Sequence, residues 1–367
     1  KQAQPLELNP LNRVDQQKTL ASFLSNLDAI EKLPEQDSVI WNTINDLTTH
    51  GCPLFLGMVA VALTHNSLAD IRNWQNSDLI EEIYAREERA WRRQLGKKSE
   101  FEQDQVIDLL AFSTLVGGFG FYEENQDEER EEQINQALLD LKLVDSERNI
   151  EAALELIEVL AGHKGGYLQP DLIAEYFLLK HYGSKVDTLN SAKRKVIIKA
   201  FEIAPKNTLQ SIVRCATDYP DNSASFSWWK TLFKKSPEAE QDLYQVVFDI
   251  VGQLNFKGRY QVSLNTWLSK LMLIPSDDLE IKIDLLILAS ESSFYIGDYE
   301  KALSYSWKSL GILKGTSDKT FQLLYLEATA SNDISQIYKM KGDHCTALSY
   351  LERSWDILIN MDSESIR

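Results

Sequence analysis

Cysteine is scarce in this chain: Cys52, Cys215 and Cys345 are scattered over 367 residues and form no CxxC pair. That scatter excludes a zinc site built from neighbouring ligands and points to a reducing cytoplasm, with the thiols read as core residues. Long apolar runs are missing too. The longest uncharged apolar stretch, Cys52 to Leu63, has twelve residues, too few to cross a bilayer, and Lys1-Gln-Ala-Gln lacks the charged and apolar regions of a signal peptide. A cytoplasmic protein with no membrane partner is expected. Its first residue is not Met, which suggests a piece of something longer.

Basic charge is also in short supply, and unevenly so. The net charge is −17, and residues 101–185 alone carry eighteen acidic against six basic residues. A surface that grips nucleic acid needs Lys and Arg to displace condensed counterions, so no direct DNA binding is expected from this segment. Much of the excess sits in Glu123 to Glu132, read as a solvated loop or helix start.

Enzyme signatures are absent. The sequence has no Gly-x-Ser-x-Gly, no His-Glu-x-x-His, no Gly-x-Gly-x-x-Gly and no phosphate loop. Gly96-Lys-Lys-Ser99 lacks the upstream glycine and preceding strand. Gly162-His-Lys-Gly-Gly166 lacks the Ser or Thr that would hold magnesium. The five histidines, His50, His65, His163, His181 and His344, share no ligand spacing, and no bound metal is expected.

What is present is a repeat. Gly258-Arg-Tyr260, Gly297-Asp-Tyr299 and Gly342-Asp-His344 each close an amphipathic helical stretch, and a small residue follows the aromatic by three positions: Ser263, Ala302 or Ala347. The steps are 39 and 45 residues, a period that means stacked helical hairpins. The glycine allows the tight turn, the aromatic packs back across it, and the small residue lets the second helix come close. The pattern resembles the tetratricopeptide repeat, best in Gly297-Asp-Tyr-Glu-Lys-Ala-Leu303. The longer second step is assigned to a long first helix, about Lys319 to Lys341, and Pro275 falls where a second helix should end. Counting from the turn glycines by that resemblance places Asn255, Glu291, Tyr295, Gln336 and Lys339 toward the concave face, where a protein ligand would bind.

Upstream, apolar periodicity predicts helices over Asp15–Leu27, with Asp15 as N-cap, and over Ser38–Leu47. Gly51-Cys52-Pro53 then opens a helix, Leu54–Leu63, apolar almost all round and so expected to be buried. Leu79–Leu95 is dense in charge and reads as a solvated face with i,i+4 pairs. Further helices are expected over Gln103–Leu115, Glu131–Leu141, Glu151–Leu160 and Pro170–Leu179, then Ala192–Ile203, Leu209–Thr217, Ser225–Phe233 and Glu238–Leu254. Trp228, Trp229, Trp267, Trp307 and Trp355 are read first as packing between helices and second as lining a groove. The fold class expected is all-α, with room for a small β-wing in the middle segment.

The order of segments resembles a known family. Gly51-Cys-Pro-Leu-Phe-Leu56 is similar to the Gly-x-Pro motif that opens the helical lid of STAND-type NTPases, the class containing NACHT and NB-ARC proteins. Ile71-Arg-Asn-Trp74 and Ala85-Arg-Glu-Glu-Arg-Ala-Trp91 look like the helix that follows in bacterial members. Leu109 to Gly118 and Pro170-Asp-Leu-Ile-Ala-Glu-Tyr176 are similar to the start and end of their winged-helix domain. The resemblance divides the chain into a lid region (1–100), a winged-helix-like domain (101–188) and a tetratricopeptide-like sensor (189–367). Carried over, Gly51 and Pro53 border an adenine pocket for ATP or ADP, Pro53 against the base, and His163 is the candidate for a phosphate-contacting histidine. Walker A and Walker B would lie upstream of Lys1, so this stretch alone is expected to be inactive. The resemblance implies a regulatory sensor in antiviral defence. Its repeats bind a protein trigger, with a viral protein as the specific expectation, and it forms homo-oligomers when activated. Two other classes stay open: a repeat scaffold with no nucleotide role, and a winged-helix transcriptional regulator, against which the acidic middle segment counts.

Overall fold

The computed structural model describes residues 11–35, 39–48, 52–98, 103–119, 128–168, 171–183, 191–235, 239–269, 278–317 and 319–365. Every regular element among them is helical, and none is a strand, as an all-α chain requires. The β-wing allowed for in 101–188 does not occur among the residues described there. None of the described helices is long and apolar enough to cross a membrane. The described chain forms two compact units, one of residues up to Ala111 with Leu143–Phe177, the other of Phe112–Lys142 with Leu178 onward.

Among the described residues eighteen α-helices follow in chain order: α1 Arg13–Asn26, α2 Ile40–Leu47, α3 Pro53–Leu63, α4 Leu68–Ile71, α5 Asn76–Lys98, α6 Gln103–Val116, α7 Glu128–Asp140, α8 Ile150–Ala161 and α9 Asp171–Tyr182. Then come α10 Ser191–Ile203, α11 Pro205–Asp218, α12 Ala224–Lys235, α13 Glu240–Phe256, α14 Tyr260–Val262, α15 Leu279–Ile296, α16 Tyr299–Lys314, α17 Phe321–Met340 and α18 His344–Ser365.

In the first unit α1 packs on α3 and α3 on α5. The N-cap of α1 is Asn12, not Asp15: Asn12 Oδ1 accepts the Asp15 amide at 3.0 Å, and its Nδ2 donates to the Asp15 carboxylate at 2.7 Å. Asp15 therefore sits in the first turn, where a carboxylate still favours the positive end of the helix dipole. Pro53 takes the first position of α3, where its missing N–H costs nothing. Leu56, Met58, Val59, Ala60, Ala62 and Leu63 are buried, while Leu54 is 44% exposed. Tyr84 and Trp91 of α5 meet Phe177 of α9 in an aromatic cluster, with ring centroids 6.2 and 5.6 Å apart. On the outer side of α5, Arg92 pairs with Glu88 at 3.1 Å, the i,i+4 arrangement that the charge pattern implied.

The second unit carries the repeats. Gly258, Gly297 and Gly342 all lie in the left-handed region, with φ of 71°, 89° and 84°. At each, the following amide reaches back five residues to close the turn: Arg259 to Leu254, Asp298 to Ser293 and Asp343 to Tyr338. This is the Schellman closure, which satisfies carbonyls the helix leaves open. A Cβ at any of the three would meet nothing within 4 Å, so glycine is required for its φ and not for space. Asp298 and Asp343 then cap the next helix, accepting the amides of Lys301 and Thr346. Arg259 cannot do this, and the helix it precedes is distorted: after Tyr260–Val262 the chain winds as a π-helix over Ser263–Leu268.

Hairpins α15/α16 and α17/α18 pack through Ile283, Ile287, Leu303, Leu310, Leu326 and Ile334. Within the first, small residues bring the backbones together: the Ser290 hydroxyl donates to the Ala302 carbonyl at 3.0 Å and lies 2.6 Å from that of Ser306. In the second, the buried Glu327 carboxylate pairs with Arg353 at 2.6 Å and with Lys319. Burial pushes the pKa of Glu327 up, but the hydrogen bonds from Lys319 and Arg353 outweigh that and leave it lowered. A separate aromatic cluster joins Trp229 of α12, Tyr244 of α13 and Trp267 of the π-helix, all buried as packing residues. Trp307 and Trp355 remain largely exposed.

Candidate functional site

Two pockets stand out, one in each unit. The first lies between α15 and α17, the first helices of successive hairpins, where a hollow of about 110 Å³ is lined by Glu291, Phe294, Tyr295, Asp333 and Gln336. Glu291 and Tyr295 are one turn apart on α15, and Asp333 and Gln336 are three apart on α17, so each pair shares a helix face. Tyr295 is 55% exposed and held by a flat stack on Tyr260, ring centroids 4.6 Å apart and planes at 14°. Asp333 Oδ2 is buried and has no hydrogen-bond partner. Burial, and then repulsion from Glu291, raise the Asp333 pKa to about 7, and burial also raises that of Glu291.

Of the five residues placed on this face by the repeat pattern, the structure brings Glu291, Tyr295 and Gln336 together in one hollow. Asn255 is elsewhere: it is buried, and its Oδ1 accepts the Ser292 hydroxyl at 3.2 Å, so it joins α13 to α15 and is not free for a partner. Lys339 is exposed but does not line the hollow. Asp333 was missed by sequence reasoning. Its signal was available as a carboxylate at i−3 from Gln336, on the same face of α17.

The second pocket, in the first unit, encloses about 650 Å³ and is walled by Phe23 and Leu27 of α1, Pro53, Leu54 and Met58 of α3, and Trp91 of α5, with α8 and Ile173 of α9 closing it. Pro53, which the family resemblance sets against a base, lines this wall, whereas Gly51 lies outside the described residues. His163 does not line it. Its ring packs edge-on to Tyr167 at 4.7 Å and its Nδ1 donates to the Lys164 carbonyl at 2.7 Å, holding it to its own loop. The polar groups on the wall are Asn26, Arg86 and Glu87.

No protein-family model matches the chain, and no curated protein matches it either. No group of His, Cys, Asp and Glu that could hold a metal ion occurs among the described residues. For ATP or ADP the fit is partial. The carbon-rich wall at Pro53 suits a ring system, but Arg86 is the one cation among the described lining residues. A polyphosphate wants several donors, such as a lysine with a run of main-chain amides. These residues can therefore offer contacts to the base end and not to the phosphates.

Proposed function

We propose that this chain is a sensor whose helical repeats hold a protein partner between α15 and α17, with a basic side chain of that partner entering the hollow beside Asp333. The observation that carries the reading is Asp333 Oδ2, buried without a hydrogen-bond partner in a hollow that Glu291, Phe294 and Tyr295 also line. A carboxyl whose pKa is raised by burial and by the neighbouring Glu291 favours an incoming cation, and an aromatic face adds cation–π attraction. Stacked repeats commonly bind through such a face, with a rigid aromatic as anchor.

The finer reading is the regulatory and sensing portion of a STAND-type ATPase in antiviral defence, triggered by a viral protein and oligomerising on activation. The order of segments from Gly51-Cys-Pro53 through Pro170-Asp171 to the repeats supports it. An apolar stripe left exposed on α18 by Leu348, Leu351, Trp355 and Ile359 offers a surface for assembly. Nucleotide phosphates, in this reading, are gripped by residues outside this sequence. Expressed as it stands, the chain should give no ATP turnover above blank, and turnover that tracks the purified protein would overturn that division of labour.

The partner surface is tested with a fluorescent lysine-rich peptide and its fully acetylated counterpart, titrated into the full chain. The lysine peptide should bind and the acetylated one should not. Tyr295→Ala should weaken binding about tenfold, equivalent to roughly 1.4 kcal/mol, while lowering stability by no more than about 1 kcal/mol for the lost stack on Tyr260. If Tyr295→Ala leaves the peptide affinity unchanged, the hollow is not the partner site.

A further inference from the structure

The 650 Å³ pocket holds an unexplained charge. Arg86 comes from α5, a helix whose other arginines behave as surface residues: Arg89 and Arg92 pair with Glu82 and Glu88. Arg86 turns inward instead. Its Nη1 is buried and has no hydrogen-bond partner, and among the described residues no ion pair joins it to Glu87 or any other carboxylate. A buried N–H group of a guanidinium left without an acceptor is costly, and in native proteins such a group usually serves a ligand or an ion.

We propose that this pocket binds a small aliphatic monocarboxylate, its hydrocarbon body between α1 and α3 and its carboxylate on Arg86. The inference is independent of the partner site on the repeats. Its volume lies within the range that encloses small organic ligands, about 300–1,000 Å³. Leu27, Leu54, Met58, Val61 and Ile83 make much of the wall aliphatic, which suits a flexible chain. The charge follows from Arg86, whose fork of donors matches a carboxylate. Two further features support an anion there. Pro53 and Leu54, the first residues of α3, line the pocket, and Cys52 makes no side-chain cap over that helix start, which brings the positive end of the helix dipole to the pocket wall. Glu87, on the same wall, limits the ligand to a single negative charge, because a dianion or a polyphosphate would meet its carboxylate with no second cation to offset it.

The test is calorimetric titration of the full chain with decanoate, decanol and ADP, on wild type and on Arg86→Met, which keeps an unbranched stem and removes the charge. Wild type should bind decanoate at least tenfold more tightly than decanol, and Arg86→Met should abolish that gap while leaving decanol binding as it was. Because Arg86 has no partner to lose, the variant should melt at or above the wild-type temperature. Val61→Phe, which fills the pocket, should weaken both decanoate and decanol. The proposal is overturned if wild type does not bind decanoate, or if the gap survives in Arg86→Met. It also fails if that variant is destabilised, if Val61→Phe binds as wild type does, or if ADP binds more tightly than decanoate and loses affinity in Arg86→Met. That last outcome would assign the pocket to nucleotide.

Discussion

Ala302→Trp is expected to disrupt the repeat hairpins, lowering the melting temperature of the full chain by about 6–12 °C or abolishing cooperative unfolding. The reason lies in how closely α15 and α16 approach. Ala302 is fully buried, and its carbonyl takes the Ser290 hydroxyl at 3.0 Å, so there is hydroxyl-to-backbone contact where larger side chains would normally separate two helices. Ser290 and Ser306, both fully buried, complete that contact. Inserting an indole forces the helices apart, breaks these hydrogen bonds and strains the layer of Ile283, Leu303 and Ile334 beside it. Overpacking alone costs about 1–3 kcal/mol, and each buried hydroxyl left unpaired adds about 1–3 kcal/mol. A loss of roughly 3 kcal/mol in a unit of this size gives the stated shift, at about 2–4 °C per kcal/mol. Tyr295→Ala, five residues from Ser290 and on the exposed side, should move the melt far less. If the two variants melt alike, position 302 is not the close contact the fold requires.

The same pair of positions marks what the sequence could and could not disclose. Gly297, Ala302 and their counterparts were legible because a left-handed turn and a close helix contact each demand a particular residue type, and the demand recurs with the period. The long α17 was legible because the step of 45 residues had to be filled, and it runs from Phe321 to Met340 behind a Thr320 cap. The π-helix after the Gly258 turn was not, because Gly258-Arg-Tyr differs from its relatives by one lost capping carboxylate. Nor was the burial of Asn255, since counting along a helix gives a direction and not the identity of the neighbour: that direction is filled by Ser292 of α15. Arg86 was hidden among like residues. In Ala85-Arg-Glu-Glu-Arg-Ala-Trp91 every charge suits a solvated face, and the inward turn of one arginine depends on where α1 and α3 leave room.

Asp333→Asn is expected to stabilise the protein at pH 8, on the order of 2 kcal/mol, and to have little effect near pH 4. The sign follows from the proton. Burial and Glu291 raise the folded pKa of Asp333 from 3.8 to about 7, so between those values the folded chain keeps a proton that the unfolded chain gives up. Stability must then fall as pH rises through that window, and above it the folded state carries the whole cost of a buried charge. Asparagine is neutral throughout and removes this slope. Asp284, raised to about 6 by burial and by Glu280 and Asp278, contributes a slope of the same sign that the variant retains, so the expected result is a smaller pH dependence and not a flat one. Glu327 acts the other way at the acid end: its pKa is lowered, so its stabilisation is present above the ordinary carboxylate range and is lost as pH falls through its folded value. Thermal melts of wild type and Asp333→Asn at pH 4, 6 and 8 separate these contributions, and parallel curves for the two proteins would mean that Asp333 does not titrate near neutrality. The stability gained by the variant should be matched by a loss of function. A cation entering the hollow binds the ionised carboxylate, so wild-type affinity for a basic peptide should rise with pH between about 6 and 8, and in Asp333→Asn it should be weaker and should not rise.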